Sequence, residues 1–536
     1  MPSLVFLIIV VVARWAHWYR GWGAAFLAAW FLFLTPRFFG ESMNNPKDIP
    51  FALGMVWASY YICRFVAAFP KPSKKDSIIL ALAIAYAINI RVGGLLLIPY
   101  LFLALGMKWF FEYRKQYGLG SKDVRGLAIR TIVICVAGYL GGMIFWPYGL
   151  QNPFSNPLIA LGELSKFSTG IRMLFSDAHI QSTIVPWYYI PKWLFITTPI
   201  IVLLGIILSP VLFRDKTYKF TDIFFLLFTA LFPILYVIYK KSPLYDGWRH
   251  MLFVYPSMAV MSALTFMYYL DMVKNKYGQY TWAAAIFIGL MLPTKWCIAN
   301  HPNEIVYFNE MVGGIDGAYG YYETDYYMNS VKQAVYKLAK DADLYHTKDT
   351  IVIASNAIEP VLHYVQTINP KVFGVYVRYG ARYDKKWDYA ILITRTIDKE
   401  YLQNGYFPPT NTIATIKADN TPLCAIVKSS PSANDAYTAS QYMTSKDYVN
   451  AAIFYQKALT SDPKNETAYN NYAIALANLN KVDEAIAAIR DGQKYIPSDI
   501  ESYDLLAKLY QAKRDMGNAQ QAAAKEQELI SQQQGE

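Results

Sequence analysis

Four polar segments border long apolar runs, and each holds residue types able to do chemistry. Residues 36–50, PRFFGESMNNPKDIP, set the carboxylates Glu41 and Asp48 beside the cations Arg37 and Lys47. Pro and Asn build turns, which is the ordinary reason for such a loop. Asp48, however, stands at the mouth of an apolar run, where a carboxylate is costly unless it is used. Arg91 lies between two half-length apolar stretches and precedes Gly93-Gly94. A guanidinium in a glycine turn suits a lipid phosphate, and equally suits a side chain snorkelling to the interface. Residues 240–250, KKSPLYDGWRH, gather Lys240, Lys241 and Arg249 with His250. These cations ask for an anionic ligand such as a polyprenyl phosphate. There Asp246-Gly247 makes a turn, and Trp248 either stacks on a sugar or anchors at the interface. In VPWYYIPKW (185–193), Trp187 and Tyr188 fit either an aromatic belt or a sugar platform. His179 and Asp177 stand isolated in the loop before it. A Walker loop, a Rossmann fingerprint and metal-ligand spacing are all missing from the sequence, which argues against soluble nucleotide-sugar chemistry.

The elements that must hold these residues are membrane spans. Only 17% of the 536 residues are charged, against about 25% in soluble chains. Apolar runs fall near 3–16, 22–38, 51–69, 77–90, 92–111, 127–146, 189–211, 221–239, 250–270 and 279–298. About 20 such residues cross a bilayer. The net charge of +11 comes from short loops between these runs, as the positive-inside bias produces, and no nucleic-acid motif accompanies it. Lys71, Lys74 and Lys75 mark one inner loop, and Lys108, Arg114, Lys115, Lys122 and Arg125 the next. Arg91 therefore turns at the outer face. By the same parity the loops 39–50, 147–188 and 240–249, and everything after about residue 299, lie outside.

Beyond the spans, helical spacing through Tyr326–Lys340 precedes β-rich runs at Thr350–Ala354, Val372–Val377, Tyr389–Ile393, Thr412–Ile416 and Leu423–Val427. Helix-like stretches at Glu359–Gln366 and Asp398–Leu402 separate them, so a small α/β domain is expected. SSPSAN (429–434) reads as a linker. After it Pro463 recurs at Pro497 and Tyr469 at Tyr503. Tyr448, Val482 and Met516 share that spacing, as do Ala451, Ala485 and Ala519. Every interval is 34 residues, the period of helical TPR repeats. The expected organisation is a membrane domain over 1–300, an exoplasmic α/β domain over 301–430 and an all-α TPR array over 435–530.

In PRFFGESMNNPKDIPFA (36–52), INIRVGG (88–94), VPWYYIPKWLFITTP (185–199), YDGWRHMLFVYP (245–256), NEIVYFNEMVGG (303–314) and ETDYYMNS (323–330), the chain resembles GT-C glycosyltransferases. The likeness is to their protein O-mannosyltransferase and aminoarabinose-transferase branch, and covers roughly 1–335. It implies inverting, nucleotide-independent transfer of a sugar from a polyprenyl-phosphate donor to an exoplasmic protein or glycan acceptor. A carboxylate, Asp48 or Glu41, would act as base. Arg37, Lys47, Arg91, Lys240, Lys241, Arg249 and His250 would bind substrate with Asp246, Trp248, Trp187 and Tyr188. No cofactor follows from the sequence, and a divalent metal stays open. A bacterial inner membrane, with the C-terminal part periplasmic, is the implied location.

One departure matters. The family opens with a further span and an outer loop bearing its principal acid, ahead of what is residue 1 here. The resemblance therefore implies a frame extending upstream by on the order of 60–90 residues, enough for one span and a loop. Two alternatives remain: an inactive scaffold that assembles envelope proteins through its repeats, and an O-antigen ligase or polymerase-like enzyme.

Overall fold

The computed structural model describes residues 2–164 and 170–534 and contains two compact units. The first comprises residues 1–171 and 181–312, the second 172–180 and 313–536. The division thus lies beyond the expected 300/301. The reason is that the segment after the last long helix packs back: Asn309 Nδ2 donates to the carbonyls of Phe195 (2.6 Å) and Thr198 (2.9 Å).

Seven helices among the described residues are long and apolar enough to cross a bilayer: Pro2–Phe33, Asp48–Ala67, Val92–Tyr113, Lys122–Met143, Phe220–Lys240, Arg249–Met272 and Lys276–Asn300. The sequence expects ten, and the three differences have local causes. The first two apolar runs share one helical stretch, α1 (Pro2–Phe33), but Arg20 and Gly21 leave helical geometry, with φ +73° at Gly21. Trp15 packs on Tyr60 and Tyr19 meets Cys63, whereas Gly23 faces Met267 and Thr35 bonds Tyr255. Phe51 also touches Phe253, so the helices starting at Asp48 and Arg249 begin at the same end. The chain therefore reverses direction at Arg20–Gly21. The run 77–90 is a helix of 17 residues, Lys74–Ile90. The run 189–211 breaks at Thr198-Pro199 into Tyr189–Thr197 and Ile200–Leu208, since a proline disfavours helix in the residue before it.

Two further helices complete the part of the unit that matters below. After α1, Pro36 starts α2 (Pro36–Asn44), a short helix where a loop is expected. Proline is pre-organised for a first helical position. Asp48–Ala67 is α3 and Lys74–Ile90 is α4. Ion pairs tie the basic loops together at one end: Arg20 binds Asp215 (2.5 Å) and Asp271 (2.8 Å), and Lys71 binds Asp123 (3.0 Å).

The second unit is built on strands β1 (Arg172–Phe175), β2 (Ala178–Gln181), β3 (Ile351–Ser355), β4 (Val372–Tyr376), β5 (Tyr389–Ile393), β6 (Thr412–Ala418) and β7 (Thr421–Lys428). The first two form a separate two-stranded sheet. The rest form one sheet in the order β4-β3-β5-β7-β6, with β3 parallel to β4 and β5 and the others antiparallel. Alternation along the strands splits the core. Ile353, Ile391 and Ile426 meet Val335 and Val361 on one face, while Ala354, Leu392 and Val427 meet Trp387, Ala433 and Ala458 on the other.

Residues 429–434 are no spacer. Ser430 accepts from the Ala433 amide (3.1 Å) as the cap of helix Pro431–Thr444, and Ala433 and Ala436 enter the sheet core. Five helices follow: Tyr448–Ser461, Glu466–Asn478, Val482–Gln493, Ile500–Ala512 and Met516–Gln534. Tyr448, Val482 and Met516 each begin one of them. Tyr469 donates to the Pro463 carbonyl at 3.0 Å, and Tyr503 repeats that bond to Pro497 at 3.0 Å. Arg382, 1% exposed, binds Glu466 (2.7 Å), joining the first repeat to the sheet.

Candidate functional site

At the end of the membrane unit opposite the basic loops, residues from three separated segments meet. The α2 spacing puts Arg37, Phe38, Glu41 and Ser42 on its buried face. Asn45 follows and bridges two acids: its Nδ2 donates to Glu41 Oε2 (2.7 Å) and to Asp48 Oδ2 (2.8 Å). Its Oδ1 accepts from the Asp48 amide at 2.8 Å, which fixes the start of α3. Asp48 is the first residue of that helix, where the dipole favours an anion. Its Oδ1 accepts from Arg91 Nη1. Arg91 ends α4, and the chain then folds back so closely that a Cβ on Gly94 would lie 2.5 Å from Ala87 backbone. Only glycine fits there.

The third segment is the turn before helix Arg249–Met272. Asp246 and Gly247 both take positive φ, 56° and 69°, as an Asp-Gly turn requires. A Cβ on Gly247 would sit 3.1 Å from Arg37 Nη1, so the turn lies against that guanidinium. Arg37 also faces the rings of Trp193 (5.0 Å) and Phe308 (5.4 Å). Arg249 Nη1 is 3.2 Å from Asp246 Oδ2, and its guanidinium lies 4.6 Å from the Tyr245 ring centroid. His250 packs on Tyr245 at 4.7 Å, and both Arg91 and Arg249 act on it electrostatically. Arg91 and Arg249 keep side-chain exposures of 26% and 19%, so both guanidinia are partly open where Arg37 is closed off at 1%.

Trp248 presents no free face. It is 1% exposed, donates from Nε1 to Thr197 (2.8 Å) and leans on Tyr255. Its part is to hold the turn. Lys47, Lys240, Lys241 and Tyr188 lie on the surface, outside the cluster, and Trp187 is 70% exposed. Trp187 and Lys241 instead border an apolar groove of about 350 Å³ with Ile184, Ile190, Val237 and Ile238. Tyr189 lines that groove too, and its hydroxyl accepts from the Gly247 amide (3.2 Å), linking groove and turn. Asp177 and His179 fall in the second unit, near Lys399 and Asp398. The rest of the loop 148–185 includes 165–169, outside the described residues.

Sequence reasoning passed over Asn45 as a joining group and Tyr189, Trp193 and Phe308 as walls. The Asn45 signal was available: it stands four residues after Glu41 and three before Asp48, within reach of both. Among the described residues no three His, Cys, Asp or Glu side chains group as a metal site. The assembled features are paired acids, partly open guanidinia and an apolar groove, a set able to hold a phosphate with a long hydrocarbon tail and to take a proton nearby.

No curated protein matches the chain. Two crystal structures of ArnT from Cupriavidus metallidurans, one bound to undecaprenyl phosphate and one apo, are similar at 10% identity and a TM-score of 0.37. Each alignment covers 79% of this chain and 82% of that one. A tetratricopeptide-repeat family model matches residues 442–509, and the C-terminal helices carry that repeat.

Proposed function

We propose that the membrane unit is a GT-C-type glycosyltransferase that moves a sugar from a polyprenyl-phosphate donor to an exoplasmic acceptor. The observation carrying this reading is the meeting of the Glu41–Asn45–Asp48–Arg91 chain with the Asp246–Arg249 pair. In the proposed step a carboxylate, Asp48 or Glu41, takes the acceptor proton while the acceptor attacks the anomeric carbon. The bond from that carbon to the phosphate oxygen breaks, and the polyprenyl phosphate leaves with the electron pair. Arg249 and Arg91 would face the departing charge, worth most in a water-poor site. The groove beside Trp187 would take the first isoprene units. Turnover of a polyprenyl-phosphate sugar by the reconstituted protein tests this. Loss in Asp48→Asn and Arg249→Gln, with binding retained in the former, is the expected pattern.

A second reading has its own support. Asp48 is bonded on both oxygens and only 5% exposed, as in a structural lock. A scaffold of the same build, without chemistry, would keep those bonds and show no turnover in any variant.

The second unit would engage a protein partner. Between its sheet domain and repeats lies a cleft of about 790 Å³ lined by six carboxylates, among them Asp384, Glu400, Asp499 and Glu501, against two guanidinia, Arg172 and Arg378. Burial raises the pKa of the four named carboxyls from their ordinary values. A cationic segment would relieve that cost. The acceptor itself, protein or glycan, would be held from this exoplasmic, periplasmic side.

A further inference from the structure

A second polar pocket lies at the other end of α3 from Asp48. At roughly 1.5 Å per residue, Arg64 is about 24 Å along the helix from Asp48, close to a bilayer's thickness. The pocket has a volume of about 380 Å³ and is lined by Arg14, His17 and Trp18 of α1, Tyr60, Tyr61 and Arg64 of α3, and Lys75 of α4. Three helices thus each contribute a cation. The spacing explains the convergence, since positions three and four apart share a helix face: Arg14, His17 and Trp18 on one helix, Tyr60 and Arg64 on the other.

The charge inside is unbalanced. Arg64 is held by Asp76 (3.2 Å) and faces the rings of Tyr60 (5.9 Å) and Tyr61 (5.6 Å). Arg14 and Lys75 have no carboxylate partner among the described residues. A basic bias alone would spread such cations over the loops. Here they surround one cavity floored by two tyrosines that are 5% and 8% exposed. Trp18, 37% exposed beside it, is the kind of ring that sits at headgroup level. The cavity takes a compact anion with hydrogen-bond acceptors, and a pocket between spans at the basic end of a bundle meets lipid headgroups.

We propose that this pocket binds the phosphate of an anionic phospholipid headgroup, at the membrane face opposite the Asp48–Arg91 cluster. Arg14 and Lys75 supply the charge, Arg64 is fixed in place by Asp76, and the Tyr60 and Tyr61 rings form the floor. The site is independent of the transfer chemistry proposed above. A soluble phosphate would use the same donors, so the test separates the two sources.

The full chain is placed in nanodiscs of phosphatidylcholine doped with phosphatidylglycerol, and lipids retained after extraction are counted by native mass spectrometry. The wild type retains phosphatidylglycerol over phosphatidylcholine. Arg14→Gln/Lys75→Gln loses that preference by about 30-fold, since each surface cation is worth roughly a factor of five near anionic lipid. Arg14→Lys/Lys75→Arg, which keeps the charge, retains it, and this separates loss of the site from loss of the fold. Arg249→Gln, at the opposite end, also retains it. Equal retention in the Gln variant and the wild type would overturn the proposal. Retention of inorganic phosphate at the pocket in pure phosphatidylcholine nanodiscs, with no preference for phosphatidylglycerol, would overturn the lipid as its source.

Discussion

Asp48, at the first position of α3, is paired with Arg91, 43 residues later at the end of α4. The contact ties the two helix ends together while Asn45 holds the other carboxylate oxygen. Removing one partner of a buried pair costs far more than removing both, because the survivor is left charged and unsolvated. Arg91→Gln should destabilise the protein by roughly 3–5 kcal/mol, and Asp48→Asn/Arg91→Gln by clearly less. Denaturant unfolding of the purified protein measures this. Additive single effects would show that the pair does not couple the helices.

Arg382 and Glu466 make the corresponding contact in the second unit, with side-chain exposures of 2% and 6%. Arg382→Gln should expose the junction between sheet and repeats to protease while leaving the membrane unit intact. Limited proteolysis with mass readout checks it, and an unchanged digestion pattern would contradict the role.

His179 gives a pH dependence. Burial, reinforced by nearby Arg172, lowers its pKa from 6.5 to about 4. The fold therefore keeps it neutral, and the unfolded chain binds the extra proton between those values. The stability linked to His179 is complete above pH 6.5 and is lost as pH falls toward 4. Melting of the second unit should drop more between pH 7 and pH 5 in the wild type than in His179→Gln. Parallel curves for the two proteins would refute the assignment.

The proposed orientation puts the C-terminus outside, as the basic loops and the expected ten-span parity imply. A reporter active only in an oxidising exoplasm, fused after Glu536, should be active. Activity of a cytoplasm-only reporter would reverse the orientation and remove the exoplasmic acceptor.

Much of this was legible in the residues. The repeats announced themselves because Tyr448, Val482 and Met516 keep phase, and each turned out to open a helix. The strands followed from short β-rich runs, with Tyr389–Ile393 the same in both readings. Arg37, Glu41, Asp48, Arg91, Asp246 and Arg249 were singled out one by one, and the structure brings them together. What stayed hidden depends on packing. Trp248 reads as an interfacial ring, yet a hydrogen bond to Thr197, far away in sequence, turns it inward. Lys240 and Lys241 look equivalent to Arg249, but Lys241 takes a left-handed cap at a helix end and both stay on the surface. The polar string 429–434 has a linker's composition, while its Ser-Pro start is equally a helix cap.

In the proposed function, the Arg249 end of the membrane unit holds a polyprenyl phosphate. Titrating a polyprenyl phosphate into the purified full chain, with Arg14→Gln/Lys75→Gln as a control for the opposite pocket, tests it most directly. Arg249→Gln should weaken binding by about 10- to 100-fold, the range of a lost charged hydrogen bond. Arg249→Lys should lose less, because the charge survives while a two-pronged contact does not. Unchanged affinity in Arg249→Gln would contradict phosphate binding at this end.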